Sequence, residues 1–163
     1  MSIDGESRDA VTSATSTIWD NHVRKDGTPE GFTIRTTYPT NPNGVQVMLE
    51  TAKKMAAMLK PAGYEFSIEE THHVTKLDSP SGTALTLAAV VKSVTGVEPP
   101  IKAHRAGDAA GLHVLEAKST ADRLLLTHEA HSRRGFAEGA VRAAEWLSTR
   151  RGCFDFQEIY TQV

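Results

Sequence analysis

Across residues 64–95 the chain passes from a two-residue hydrophobic period to an apolar helical run through a single Asp78-Ser79-Pro80-Ser81-Gly82 turn. That switch limits the folds open to it more than any other feature. Tyr64-Glu65-Phe66-Ser67-Ile68-Glu69 alternates as a half-buried strand does, with successive side chains on opposite faces of a sheet. Residues 83–95 form a short apolar helix closed by Gly96. Residues 101–104, 112–117 and 123–128 read as three further short strands, separated by turn chemistry at Ala106-Gly107-Asp108 and Ser119-Thr120-Ala121-Asp122. Val45, Met48, Leu49, Ala52, Met55, Ala56 and Leu59 recur at helical spacing before Pro61 and Gly63. Phe136, Ala140, Val141, Ala144 and Leu147 do the same within residues 135–149. Helices at the ends and beside a run of strands imply an α+β domain, an open mixed sheet of about four strands flanked by helices.

The remainder is less patterned. Residues 1–31 are polar and broken by Gly5, Gly27, Pro29 and Gly31, which predicts a poorly ordered leader. Phe32, Ile34, Thr36 and Tyr38 alternate weakly, as one strand, ahead of a turn cluster at residues 38–44. With 39% apolar and 23% charged residues the class is soluble and globular, and 163 residues suffice for one real core. A net charge of −2 argues against a surface built to wrap nucleic acid. The longest apolar runs, such as residues 87–91, are too short to span a bilayer, so no membrane partner is expected. No secretory signal pattern opens the sequence, and the single cysteine, Cys153, excludes an internal disulfide. Both point to the cytoplasm. No metal is expected, since the histidines lack cysteine partners and no His-x-x-x-His pair lies on a helix.

One segment is dense in chemistry. Glu70-Thr71-His72-His73-Val74-Thr75-Lys76-Leu77-Asp78-Ser79-Pro80-Ser81-Gly82-Thr83-Ala84-Leu85 joins a strand end to a helix start. Adjacent histidines point to opposite faces of a continuing strand, so both serve one site only if the chain bends there. The first N–H groups of the following helix lack partners within it, and with the hydroxyls of Ser81 and Thr83 they offer an anion site. An imidazole, an ammonium and a helix N-terminus on one loop suit a carboxylate held beside a proton donor. Each element alone has a plainer use: a turn with an N-cap, an exposed His pair, a solvated lysine.

The same run resembles the signature of the 4-hydroxy-tetrahydrodipicolinate reductase (dihydrodipicolinate reductase) family, roughly Glu-x-His-His-x-x-Lys-x-Asp-Ala-Pro-Ser-Gly-Thr-Ala. It departs only in Ser79 for the usual alanine. A second block, Thr127-His128-Glu129-Ala130-His131-Ser132-Arg133-Arg134-Gly135-Phe136-Ala137-Glu138-Gly139-Ala140, is similar to the family's segment entering its last helix. The resemblance runs from about Val45 to the C-terminus. It implies NAD(P)H-dependent reduction giving tetrahydrodipicolinate, in lysine and diaminopimelate synthesis. It makes His72 the general acid and Lys76 its support and a substrate ligand. It makes His73, Ser81, Gly82, Thr83 and Arg133 ligands of the small cyclic dicarboxylate, leaves Arg134 on the surface, and has Asp78 brace the loop. NADPH or NADH would be the cofactor and a homo-oligomer, tetrameric in the family, the assembly.

The family's other half is not legible here. No Gly-x-x-Gly-x-x-Gly loop occurs, and residues 38–45 match only loosely the family's Ala-Pro-Asn-Phe-Ser-x-Gly-Val segment, so no cofactor-binding residue is assigned. The expected division is 1–37 as a leader in place of a nucleotide-binding domain, without a complete Rossmann fold. Residues 38–134 would be the substrate-binding and oligomerisation domain. Residues 135–163 would be a helix and tail that in the family pack on the nucleotide domain. Phe136, Val141, Leu147, Phe154 and Phe156 would then need other cover. Two other functions fit the same residues: a dicarboxylate-binding or assembly domain without catalysis, and an acid–base enzyme such as an isomerase using His72 and Lys76.

Overall fold

The computed structural model describes residues 18–23, 29–35, 44–152, 154, 156–159 and 162. In chain order its elements are strands β1 (Ile18–Val23) and β2 (Pro29–Arg35), helix α1 (Val45–Leu59), β3 (Glu65–His72), α2 (Gly82–Thr95), β4 (Ile101–Arg105), β5 (Leu112–Lys118), β6 (Arg123–Glu129), α3 (Arg134–Leu147) and α4 (Phe156–Ile159). They fall into two compact units, Val47–Arg133 and the two flanking segments taken together. Among the described residues no helix is long and apolar enough to cross a membrane.

In the Val47–Arg133 unit the four expected strands form one mixed sheet in the order β4-β3-β5-β6. β3 and β4 are parallel and are joined through α2, while β3–β5 and β5–β6 are antiparallel. Register decides what shares a face. Ile68 stands opposite Leu115, and Leu115 opposite Leu126. Two residues along β3, Glu70 stands opposite His113, and His113 opposite His128. Ile68, Glu70, His72, His113, Leu115 and Ala117 are all buried, so one inner face runs from an apolar row into a polar one. Glu69 marks the other face, where it approaches Lys102 at 3.6 Å.

Helix α2 turns Ala84, Leu87, Ala88 and Val91 inward. Ser81 caps it from an extended conformation, its Oγ accepting the Ala84 N–H at 3.2 Å. Gly96 ends it in the left-handed region at φ 78°, where a side chain would be strained, and its N–H bonds the Lys92 carbonyl. α1 buries Met48, Leu49, Ala52 and Ala56. After α1, the Lys60 ammonium donates to the Val94 carbonyl at 3.0 Å, tying that end to α2.

The flanking segments contain a β1–β2 antiparallel pair, with Trp19 opposite Ile34 and Asn21 opposite Phe32. β1 had no clear hydrophobic period in the sequence, because its alternation is interrupted by Asp20, Asn21 and His22. The turn cluster up to residue 43, and Cys153, lie outside the described residues. Leu147 and Phe156, expected to lack cover, are fully buried. With Ala143 and Ile159 they form a small core against which Trp146 and Phe154 pack. Val141 stays exposed.

Candidate functional site

The polar end of the inner face is organised by Glu70. Its side chain is fully buried, with 1% of the residue exposed. One oxygen, Oε1, accepts the Ser81 N–H at 2.9 Å and lies 3.4 Å from both terminal nitrogens of Arg105. The other, Oε2, stands 3.3 Å from His72 Nδ1 and 3.7 Å from His113 Nε2. The His72 contact has ion-pair distance but not the direction of a good hydrogen bond, and neither atom bonds another group among the described residues. Burial by itself would raise the Glu70 carboxyl. The interactions with His72 and with the hydroxyl and N–H of Ser81 outweigh it and hold the group at about 2. His113 goes the other way for an imidazole: burial first, then the charge of His72, push it down to about 3, so it is neutral at ordinary pH.

Arg105 extends the network outward. It also donates to the backbone carbonyls of His104 and Asp78, binding β4 to the loop before α2. Ser81 Oγ reaches His113 Nε2 at 3.2 Å, so the cap of α2 is fastened to β5 as well. β3 ends at His72, and the chain then turns, with the Lys76 N–H donating to the His73 carbonyl at 3.1 Å. The chain thus bends after His72, as it must if both histidines are to serve one region. His73 Nδ1 contacts Thr75 Oγ1 at 2.7 Å, and its Nε2 accepts from Arg133 at 2.8 Å. Burial, followed by the charges of Arg133 and Lys76, lowers the His73 pKa, which keeps Nε2 available as an acceptor. Lys76 pairs with Asp78 at 2.7 Å.

The family model described as Dihydrodipicolinate reductase, C-terminus, matches residues 44–160. The chain belongs to the dihydrodipicolinate reductase family. The 4-hydroxy-tetrahydrodipicolinate reductase of Christiangramia forsetii is 38% identical over 133 residues, covering 74% of this chain and 56% of that protein. That of Laribacter hongkongensis is 39% identical over 125 residues, covering 64% of this chain and 47% of that protein. The chain thus spans about half the length of the curated relatives it matches. The solved structure "Dipicolinate bound Dihydrodipicolinate reductase from Paenisporosarcina sp. TG-14" resembles it with a TM-score of 0.50 at 20% identity. That match covers 64% of this chain and 48% of the other. The likeness supports the fold, and the α+β architecture with an open four-stranded sheet is the one the sequence implied.

Within this dihydrodipicolinate reductase unit, the residues singled out by sequence occupy different places. His73 and Arg133, sixty positions apart, are in direct contact. His72 sits at the strand end, 7% exposed. Gly82 and Thr83 open α2, while Ser81 faces inward to Glu70 and His113. Lys76 and Asp78 brace each other. Sequence reasoning missed Glu70 as a site residue, together with Arg105, Gly111 and His113. Glu70 was readable, since the strand period puts it on the face of Ile68 and His72; the other three arrive only through sheet register. Glu70, His72 and His113 also have ligand-capable atoms all within 4.8 Å of one another, a set that could hold a metal ion. The Arg105 guanidinium against Glu70 already supplies the positive charge, so the carboxylate–imidazole network is the use these contacts favour.

Gly111 gives the site its tightest packing. A Cβ there would lie 3.0 Å from His72 Nε2 and 3.8 Å from His113 Cε1. His72 has Glu70 on its other side, so the ring has little room to retreat. Gly111 also holds φ 155°, where a side chain is strained, so Gly111→Ala is expected to cost at least the roughly 1–3 kcal/mol usual for overpacking. It should also shift the His72 ring resonances, whereas an unchanged spectrum and stability would contradict the packing described.

Proposed function

We propose that the Val47–Arg133 unit is the substrate-binding and proton-donating half of a 4-hydroxy-tetrahydrodipicolinate reductase acting in lysine and diaminopimelate synthesis. The observation that carries this reading is the His73–Arg133 contact, which joins the two distant sequence blocks of the family at the loop that ends in the α2 N-terminus. A cyclic dicarboxylate needs two anion sites. The Arg133 fork, held by neutral His73, supplies one. The first N–H groups of α2 at Gly82 and Thr83, with the Thr83 hydroxyl, supply the other. Ser81 contributes from behind, by fixing that helix start. Lys76 reaches substrate by exchanging the Asp78 carboxylate for a substrate carboxylate, which keeps its charge paired throughout.

His72 then gives a proton to the substrate carbon beside the one that receives hydride. In the family the hydride comes from NADPH or NADH. The sequence contains no glycine-rich loop of the kind that cradles a dinucleotide pyrophosphate, and no hydride step is assigned to its residues. Assembly as a homo-oligomer is supported by β6, an edge strand that exposes Leu124 and Leu125.

Calorimetric titration with pyridine-2,6-dicarboxylate tests the site. Arg133→Ala should weaken binding at least tenfold, as expected for a charged hydrogen-bonding group worth about 1.5–3 kcal/mol. Lys102→Ala, on the opposite face of the sheet, should leave binding unchanged. Equal affinities for the parent and Arg133→Ala would remove the assignment.

A further inference from the structure

We propose that Glu70 is the positioning residue that fixes the tautomer of His72, placing the proton on Nδ1 and leaving Nε2 as the nitrogen that exchanges protons with substrate. The inference rests on the reading of His72 as the acid and adds a residue to it. Glu70 is buried and all of its neighbours bear on orientation. Its Oε1 is claimed by two donors, the Ser81 N–H at 2.9 Å and the Arg105 guanidinium at 3.4 Å. Its Oε2 is thereby left to the imidazoles, 3.3 Å from His72 Nδ1 though short of good hydrogen-bond direction, and neither atom has another hydrogen-bond partner among the described residues. An ionised carboxylate only accepts, so the nitrogen facing it must carry hydrogen for the contact to be favourable. The opposite nitrogen, Nε2, faces the space left by the missing side chain of Gly111. No protein group among the described residues bonds it.

The proton transfer follows from this arrangement. The N–H bond at Nε2 of the imidazolium breaks as a C–H bond forms on the substrate. The ring that remains is neutral and keeps its other proton on Nδ1, against Glu70. Nε2 is then the atom that must be reprotonated before the next turnover. Without the carboxylate, nothing in the site selects between the two neutral tautomers.

Glu70→Gln makes a sharp test because the amide cannot turn freely. Its oxygen is required by the Ser81 N–H and Arg105, so its NH2 takes the place of Oε2 and faces His72 Nδ1. Two donors cannot share that contact, and the neutral ring must move its proton to Nε2. The readout is the long-range 1H–15N correlation spectrum of the 15N-histidine-labelled chain, at alkaline pH where the rings are neutral. The His72 signals are identified by their loss in His72→Gln. The expected result is the Nδ1–H form in the parent and a switch to Nε2–H in Glu70→Gln.

A parent ring protonated on Nε2 overturns the proposal, as does a folded Glu70→Gln that keeps the parent tautomer. If that variant does not fold, the parent spectrum still decides. A purely structural role for Glu70 would lower stability without switching the tautomer. Titration of the same parent sample with pyridine-2,6-dicarboxylate keeps the two readings apart. Absence of binding there overturns the substrate assignment, while a wrong tautomer with binding intact overturns only the role of Glu70.

Discussion

Replacing Arg105 with alanine is expected to destabilise the Val47–Arg133 unit by roughly 3–5 kcal/mol, the cost of leaving a buried charge without its partner. Glu70 has no exposed surface on its side chain, and among the described residues Arg105 is the one guanidinium beside it. The same side chain donates to the carbonyls of His104 and Asp78, so its loss also frees the loop that carries Lys76. Arg105→Lys should recover only part of the loss, because an ammonium cannot span a carboxylate and a carbonyl as the planar fork does. Both tryptophans lie in the flanking segments, so their fluorescence would report on the wrong part of the chain. Hydrogen exchange of the β3 and β5 amides is the suitable measure. Protection unchanged in Arg105→Ala would show that Glu70 does not depend on this arginine.

Acid should unfold this unit early, and in two overlapping stages. The His113 imidazole is held at about 3, below the ordinary 6.5, so the unfolded chain takes up a proton that the folded one refuses. Stability from this group is complete above pH 6.5 and drains away as the pH falls towards 3. Glu70 is likewise depressed, to about 2 from 4.5, so its contribution is complete above pH 4.5 and is lost on the way to 2. Each group accounts for roughly 3 kcal/mol or more at one pKa unit per 1.36 kcal/mol. Thermal melts from pH 7 to 3 should fall throughout, beginning near pH 6. His113→Gln, which keeps a hydrogen-bonding amide, should make the fall between pH 6.5 and 4.5 shallower, leaving the part due to His73 and His128, whose pKa values are also lowered. A parent melting point flat between pH 7 and 4.5 would contradict the buried neutral His113.

Local patterns in the sequence located most of the fold and part of the candidate site. Alternation and helical spacing found the sheet strands and α1, α2 and α3, because each reflects a single element meeting a single core. The ends were less accurate: β3 runs on through His72, since Glu70 is accepted into the inner face by Ser81 and Arg105 rather than marking the strand's exit. What joins elements was not legible. His113 meets Glu70 because β5 pairs with β3 at one register and not another, and nothing within residues 112–117 encodes that. Arg105 meets Glu70 through the parallel β3–β4 pairing in the same way. Ser81 was expected among the ligands of substrate carboxylates, yet its polar atoms are engaged by Ala84, Glu70 and His113. The plain N-cap role and the buttressing role are both occupied, which is why we place it behind the anion site.

The loop from Glu70 to the start of α2, with Arg133, is proposed to form a dicarboxylate site. Amide chemical-shift mapping of the parent chain during titration with pyridine-2,6-dicarboxylate tests it most directly. Saturable shifts are expected at His72, His73, Lys76, Gly82, Thr83 and Arg133, with β6 and the outer face at Glu69 and Lys102 unaffected. Saturation with the shifts centred elsewhere, or no shifts at all, would contradict it.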